Sequence, residues 1–219
     1  MGRLIVTNTT ISKVPYCMKE SGHRLYSYEE LCYYICSRMP LWLEESTREG
    51  LTEKLKEWDV QTVDVDELSP YEAAKKIFQA GNYLRKEEKE QILEQMEKYG
   101  QKKELVREKE KGDLYLSYRK NRKAYLAYVR GIALLTGEEG PGLKASLYHN
   151  MAVACCRFFY WKEAKKWFAL SLDAKDSQES RIGLELVLDL EKKQWENDGK
   201  PVDEEKLQQR QQEFLQECR

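Results

Sequence analysis

The chain has 219 residues, of which 34% are charged, and its 37 Lys and Arg nearly cancel its 38 Asp and Glu. A net charge of -1 argues against a chain dedicated to phosphate backbones, and the length is ample for a substantial core. Five prolines and abundant Glu, Lys, Leu, Gln and Tyr point to a mainly α protein.

At the N-terminus, MGRLIVTNTT has too short an apolar run for a secretory signal, although Leu4, Ile5 and Val6 form a strand candidate. Val14 to Met18 and Arg24 to Tyr26 flank the turn-like Glu20-Ser21-Gly22, so a small hairpin is expected. Ser27 with Glu30 three residues on reads as a capping box. It opens a helix with Leu31, Tyr34, Ile35 and Met39 on one face, which Pro40 ends. Leu51, Leu55 and Trp58 space like a second short helix, and residues 59–68 read as a connector. Ser69-Pro70-Tyr71-Glu72 is another start signal, with Ser69 as cap and Pro70 at the first helical position. Its helix runs to Ala80 and stops at Gly81-Asn82. This start suggests two segments, an α+β or helical one over 1–68 and a helical array over 69–219.

Residues 86–111 are densely charged, yet Ile92, Leu93, Met96 and Tyr99 keep an apolar stripe and Glu94 pairs with Lys98. The outer face of a packed helix explains this, with an intermolecular coiled coil as the alternative. Residues 111–134 and 147–172 then repeat one helix-turn-helix pattern. Gly112 aligns with Ala152 and Ala124 with Ala164, 12 residues apart in both copies, and Tyr128 and Phe168 follow four residues later. Small residues let helices approach closely, and a large one a turn away fills the space beside them.

On these residues the chain resembles the tetratricopeptide repeat family. Gly112, Tyr115, Ala124, Tyr128 and Gly131 match its motif in the first copy, and Tyr148, Met151, Ala152, Ala164 and Phe168 in the second. Cys155 and Ser171 fit less well. The copies lie 40 residues apart, so Thr136 to Lys144 reads as an insertion, and Lys111 stands where a large apolar residue is usual. Beyond them, residues 176–193 form a helix offering Ile182, Leu184, Leu186, Val187 and Leu190 for burial. A break over Glu196 to Pro201 precedes a last polar helix, Asp203 to Cys218, of the kind that caps a helical array.

The resemblance implies a tetratricopeptide-like α-solenoid of antiparallel helix pairs behind a small N-terminal α+β segment. It also implies a non-catalytic scaffold or adaptor that holds a peptide or partner protein in a groove. On the family's geometry that groove carries Lys109, Asp113, Leu116 and Ser117, then His149, Asn150, Val153, Cys156 and Arg157, and Arg181 from the following helix. Lys109 and Asn150 match two positions at which some members grip a peptide's terminal carboxylate, and Arg181 matches a third if its helix is shifted slightly, but the negative charge of Asp113 opposes such a grip. The N-terminal PYCMKESGHRLYSYEELCYYI is similar to segments of uncharacterised bacterial proteins, which adds no function.

Two other surfaces suggest partners. Arg119, Lys120, Arg122 and Lys123 form a compact basic turn among Tyr115, Tyr118, Tyr125 and Tyr128, a pattern that can hold single-stranded nucleic acid by phosphate contact and base stacking. A solvated turn explains the same residues. Phe158, Phe159 and Tyr160, next to Trp161, are either core aromatics or an interface patch.

Signals for chemistry are sparse. His23 with Cys17 or Cys32 would be the nucleophile pair of a hydrolase, but no orienting third residue accompanies it. No metal motif includes His23 or His149, and the glycine-rich 137–142 stretch carries acids and proline where a phosphate cradle needs backbone donors, so no cofactor is expected. Cys32, Cys36, Cys155 and Cys156 sit in apolar helical patterns, and with Cys17 and Cys218 read as reduced thiols of a cytoplasmic protein. No stretch approaches the roughly 18 apolar residues of a membrane span.

Overall fold

The computed structural model describes residues 9–45, 48–60 and 64–198. Among these residues are ten helices and one two-stranded antiparallel hairpin, so the protein is mainly helical with a small N-terminal β element. The chain divides into two compact units, Met1–Lys102 and Lys103–Arg219.

In the first unit, strands β1 (Tyr16–Cys17) and β2 (Arg24–Leu25) pair with Tyr16 opposite Leu25 and Cys17 opposite Arg24. Gly22 closes the turn at φ 68°, a conformation favouring glycine, and donates its N–H to the Met18 carbonyl at 2.7 Å. The expected strand at Leu4 to Val6 lies outside the described residues. Helix α1 (Tyr28–Ser37) forms only half of the expected capping box: Ser27 Oγ accepts from the Glu30 N–H, but the Glu30 carboxylate takes the Tyr26 N–H at 2.7 Å rather than that of the cap. It ends at Ser37, so Met39 falls outside it, and Pro40 sits in the first turn of α2 (Met39–Leu43), where a missing N–H leaves nothing unpaired.

Helix α3 (Leu51–Glu57) begins after Gly50, which has no capping side chain. Asp66 supplies the cap from the following connector, accepting from the Gly50 and Thr52 N–H groups at 2.8 Å each. Helix α4 (Pro70–Ala80) has both halves of the Ser69–Glu72 box and the expected bounds. It packs on α1 and α2. The Tyr28 hydroxyl donates to the Ile77 carbonyl at 2.8 Å, the Trp42 indole N–H donates to the Pro70 carbonyl at 2.8 Å, and Gly81 leaves room for the Tyr28 ring. Helix α5 (Lys86–Gly100) buries Met96 and Tyr99 and packs on α2 and α4. The strong start signal at Ser69 therefore marks a helix end, and residues 69–102 belong with the N-terminal unit rather than with the array expected over 69–219.

The second unit contains α6 (Glu104–Ser117), α7 (Asn121–Ala133), α8 (Pro141–Cys156), α9 (Trp161–Ala174) and α10 (Gln178–Asp198). Each packs on its sequence neighbour. Ala124, Ala152 and Ala164 are fully buried, as close helix approach requires. A Cβ on Gly112 would lie 2.5 Å from the Tyr128 ring, and one on Gly183 would lie 2.5 Å from the Phe168 ring. The two helix turns match in backbone. Arg119 and Phe159, 40 residues apart, have φ of 57° and 61°. The next residues, Lys120 and Tyr160, donate to the carbonyls of Tyr115 and Cys155 at 2.8 and 3.1 Å, which are Schellman-type closures.

Two boundaries differ from expectation. Helix α8 starts at Pro141, so the supposed insertion over 136–144 is partly first helical turn. Helix α10 continues through Glu196 to Asp198, because no proline or glycine interrupts it between Leu184 and Asp198. Residues 203–218 lie outside the described residues.

Candidate functional site

The predicted groove residues separate into two neighbourhoods of opposite character. The first centres on Asp113 of α6. Its Oδ2 accepts from Lys109 Nζ at 2.7 Å, and its Oδ1 accepts from the Tyr128 hydroxyl at 2.8 Å and from Asn150 Nδ2 at 2.6 Å. One carboxylate thus ties α6 to α7 and α8. Burial, with the Asp113 charge beside it, pushes the Tyr128 phenol far above its usual range. Lys109 and Asn150, the two best matches to a carboxylate grip, are engaged by the protein's own carboxylate. Leu116 is half-buried, and Ser117 Oγ bonds back to the Leu114 carbonyl at 2.7 Å.

A buried ion group underlies this network and was not foreseen. Glu108, 8% exposed, receives Lys111 Nζ at 2.5 Å on one oxygen and Arg130 Nε at 2.9 Å on the other. That pairing is how a lysine occupies a usually apolar position, since a buried charge persists where it is paired and hydrogen-bonded.

The second neighbourhood is a groove of about 610 Å³ walled by α8, α9 and α10. Val153, Cys156, Phe168, Ile182, Leu186 and Leu190 make its apolar surface. His149 lies at one end and Arg157 two turns further along α8. His149 Nδ1 lies 2.9 Å from Ser180 Oγ, and its ring meets the Phe168 ring edge-on at 5.4 Å. Ser180 Oγ in turn lies 2.9 Å from Ser171 Oγ, which donates to the Ala145 carbonyl at 2.8 Å. Burial holds the His149 imidazole below its usual range, against the opposing pull of Glu179. Sequence reasoning missed Ser180, whose only visible signal is a small residue in the first turn of α10.

Arg181 does not join the groove wall; its guanidinium pairs with Asp176 in solvent. At the basic turn, Arg119, Lys120 and Arg122 are exposed and Lys123 lies over the Tyr115 ring at 5.7 Å. Tyr115 and Tyr128 are buried, which removes two of the four aromatics that base stacking would use. The aromatic run also splits. Phe158 stacks on Tyr160 at 5.8 Å and meets Tyr125 edge-on at 6.4 Å, while Phe159 projects with 71% exposure and meets Trp161 edge-on at 5.7 Å.

Cys32 is fully buried, and burial raises its thiol far above the ordinary range, leaving little thiolate at neutral pH. Cys17 is exposed on β1, and the His23 ring rests against Tyr34 at 5.4 Å. Cys156, in the groove, is pushed up to about 11 by burial. Among the described residues no group of three or more His, Cys, Asp or Glu could hold a metal, and no helix is long and apolar enough to cross a membrane.

Comparison with protein-family models, with curated proteins and with solved structures finds no match.

Proposed function

We propose that the second unit is a tetratricopeptide-like helical array, and that the chain is a non-catalytic cytoplasmic scaffold taking a polypeptide segment into the groove between α8 and α10. The observation that carries this reading is the wall of that groove, where Ile182 and Leu186 are each 56% exposed along an otherwise apolar surface. Contiguous apolar surface rimmed by polar groups marks an interaction site. Ile182 to Leu190 spans about 12 Å of helix, room for about two turns of an amphipathic partner helix. The equivalent turns at Arg119 and Phe159, the buried Ala124 and Ala164, and the two ring-on-glycine contacts support the array reading.

The test is a photo-crosslinking amino acid in place of Val153, expressed in the native cell. A covalent adduct to a polypeptide is expected, and it should vanish when Ile182 is also changed to Asp. No adduct from a folded, well-expressed chain would overturn the reading.

A further inference from the structure

The apolar stripe that α10 presents to the groove is symmetric about Leu186. Ile182 and Leu190 stand four residues to either side, and Glu179 and Lys193 seven residues to either side. Those spacings place all five on one helical face. Glu179 and Lys193 are exposed, and neither has an ion-pair partner among the described residues. An antiparallel copy of the helix, related by a two-fold axis at Leu186, meets this one with Leu186 on Leu186. Each Ile182 then falls on a Leu190, and each Glu179 on a Lys193. A parallel copy would set like charges against each other instead.

The groove beside the stripe has matching polarity. His149 is held at the Ser180 end, so Arg157, two turns further along α8, lies toward Leu190 and Lys193. In the antiparallel arrangement that end receives Glu179 of the other copy. Arg157 is exposed and, like Lys193, has no ion-pair partner among the described residues.

We infer that the occupant of the groove is α10 of a second copy of this chain, seated antiparallel to form a two-fold dimer. This rests on the groove being a docking surface and supplies its partner. The contact is isologous, so every favourable pair occurs twice and the assembly closes at two copies. Reversed charges at both ends fix direction and register, as flanking charges do in paired helices.

Sedimentation of the full chain over a micromolar to sub-millimolar series tests the inference. A concentration-dependent dimer is expected. Leu186→Glu should abolish it, since two carboxylates would meet at the axis, while far-UV circular dichroism stays unchanged because Leu186 is mostly exposed. Glu179→Lys and Lys193→Glu should each weaken it by about tenfold or more, and the double variant should recover most of that loss. A dimer indifferent to Leu186→Glu, or a double variant no better than either single one, overturns the proposal. So does a chain that stays monomeric, whether its groove is open or covered by another segment of the same chain. A monomer whose Val153 probe still captures a different polypeptide sinks the second-copy inference alone; a monomer with no adduct sinks the groove reading as well.

Discussion

The two hairpins of the second unit spend the same face differently. Asp113 and Val153 stand 40 residues apart at corresponding positions, as do Tyr128 and Phe168. In the first hairpin the carboxylate takes the phenol of Tyr128 and binds three helices together. In the second, the phenol is a phenyl and the carboxylate a valine, so the polar tie is gone and an apolar groove takes its place. A paired change of acid for alkyl and hydroxyl for hydrogen converts an internally satisfied surface into one available to something else.

The largest effect should come from the two ring-on-glycine contacts, Gly112 on Tyr128 within the first hairpin and Gly183 of α10 on Phe168 of the second. Gly112→Ala would drive a Cβ into the fully buried, hydrogen-bonded Tyr128 ring. Overpacking of this kind costs about 2–3 kcal/mol even after the helix-propensity gain of alanine. Gly183→Ala makes the same clash with Phe168, but that ring lines the groove and, unlike Tyr128, has no hydroxyl tied to Asp113. Its cost should be about half as large, and urea denaturation of the two variants reads the difference directly. Equal losses would mean that the second hairpin is as closed as the first.

Next in size is the carboxylate itself. Asp113→Val leaves the Tyr128 hydroxyl and the Asn150 amide without their acceptor, a loss of roughly 1–2 kcal/mol for partly buried donors. Adding Tyr128→Phe should recover part of it, since the double variant carries the residue pair that the second hairpin already tolerates. A double-mutant cycle on unfolding free energy measures this coupling. Strict additivity would show that Asp113 and Tyr128 do not act as a unit.

How much of this was legible in the sequence follows from the range of each interaction. Capping and periodicity act within a turn or two, so Ser27, Ser69 with its helix to Ala80, and the buried Ala124 and Ala164 were all readable. Short-range rules also misled where one residue has two lawful uses. Pro40 and Pro141 were read as a stop and a loop, but each lies in a first helical turn. The Ser69 cap looked like a domain boundary because a cap carries no information about which neighbours its helix will meet. The groove positions of α8 were named from the resemblance. That Asp113 would disarm Lys109 and Asn150 depended on partners up to 37 residues away. Ser180 and Glu108 were invisible for the same reason: burial and pairing are properties of the assembled helices.

A smaller, pH-dependent difference should separate the hairpins as well. His149 has no counterpart in the first hairpin, where Lys109 occupies the corresponding position. Burial depresses the His149 pKa below its unfolded value. The unfolded chain therefore binds the proton more readily, and stability present above about pH 6.5 is lost as pH falls toward the folded-state value. The melting temperature should drop between about pH 7.5 and pH 5 by more in the native chain than in His149→Gln. Identical slopes would mean that the imidazole is as well hydrated folded as unfolded.

The smallest effect concerns the matched turns, where Arg119 and Phe159 both occupy a left-handed conformation that suits glycine better. Arg119→Gly relieves that strain against the added entropy of glycine in the unfolded chain, for a net gain of about 0.5 kcal/mol. Phe159→Gly relieves the same strain but also gives up the edge-on Trp161 contact, so its change should lie close to zero. Calorimetry of the two variants separates these outcomes. A gain at Phe159 as large as at Arg119 would show that the Trp161 contact contributes nothing to folding, leaving a strained, 71% exposed aromatic with no stabilising role in the isolated chain.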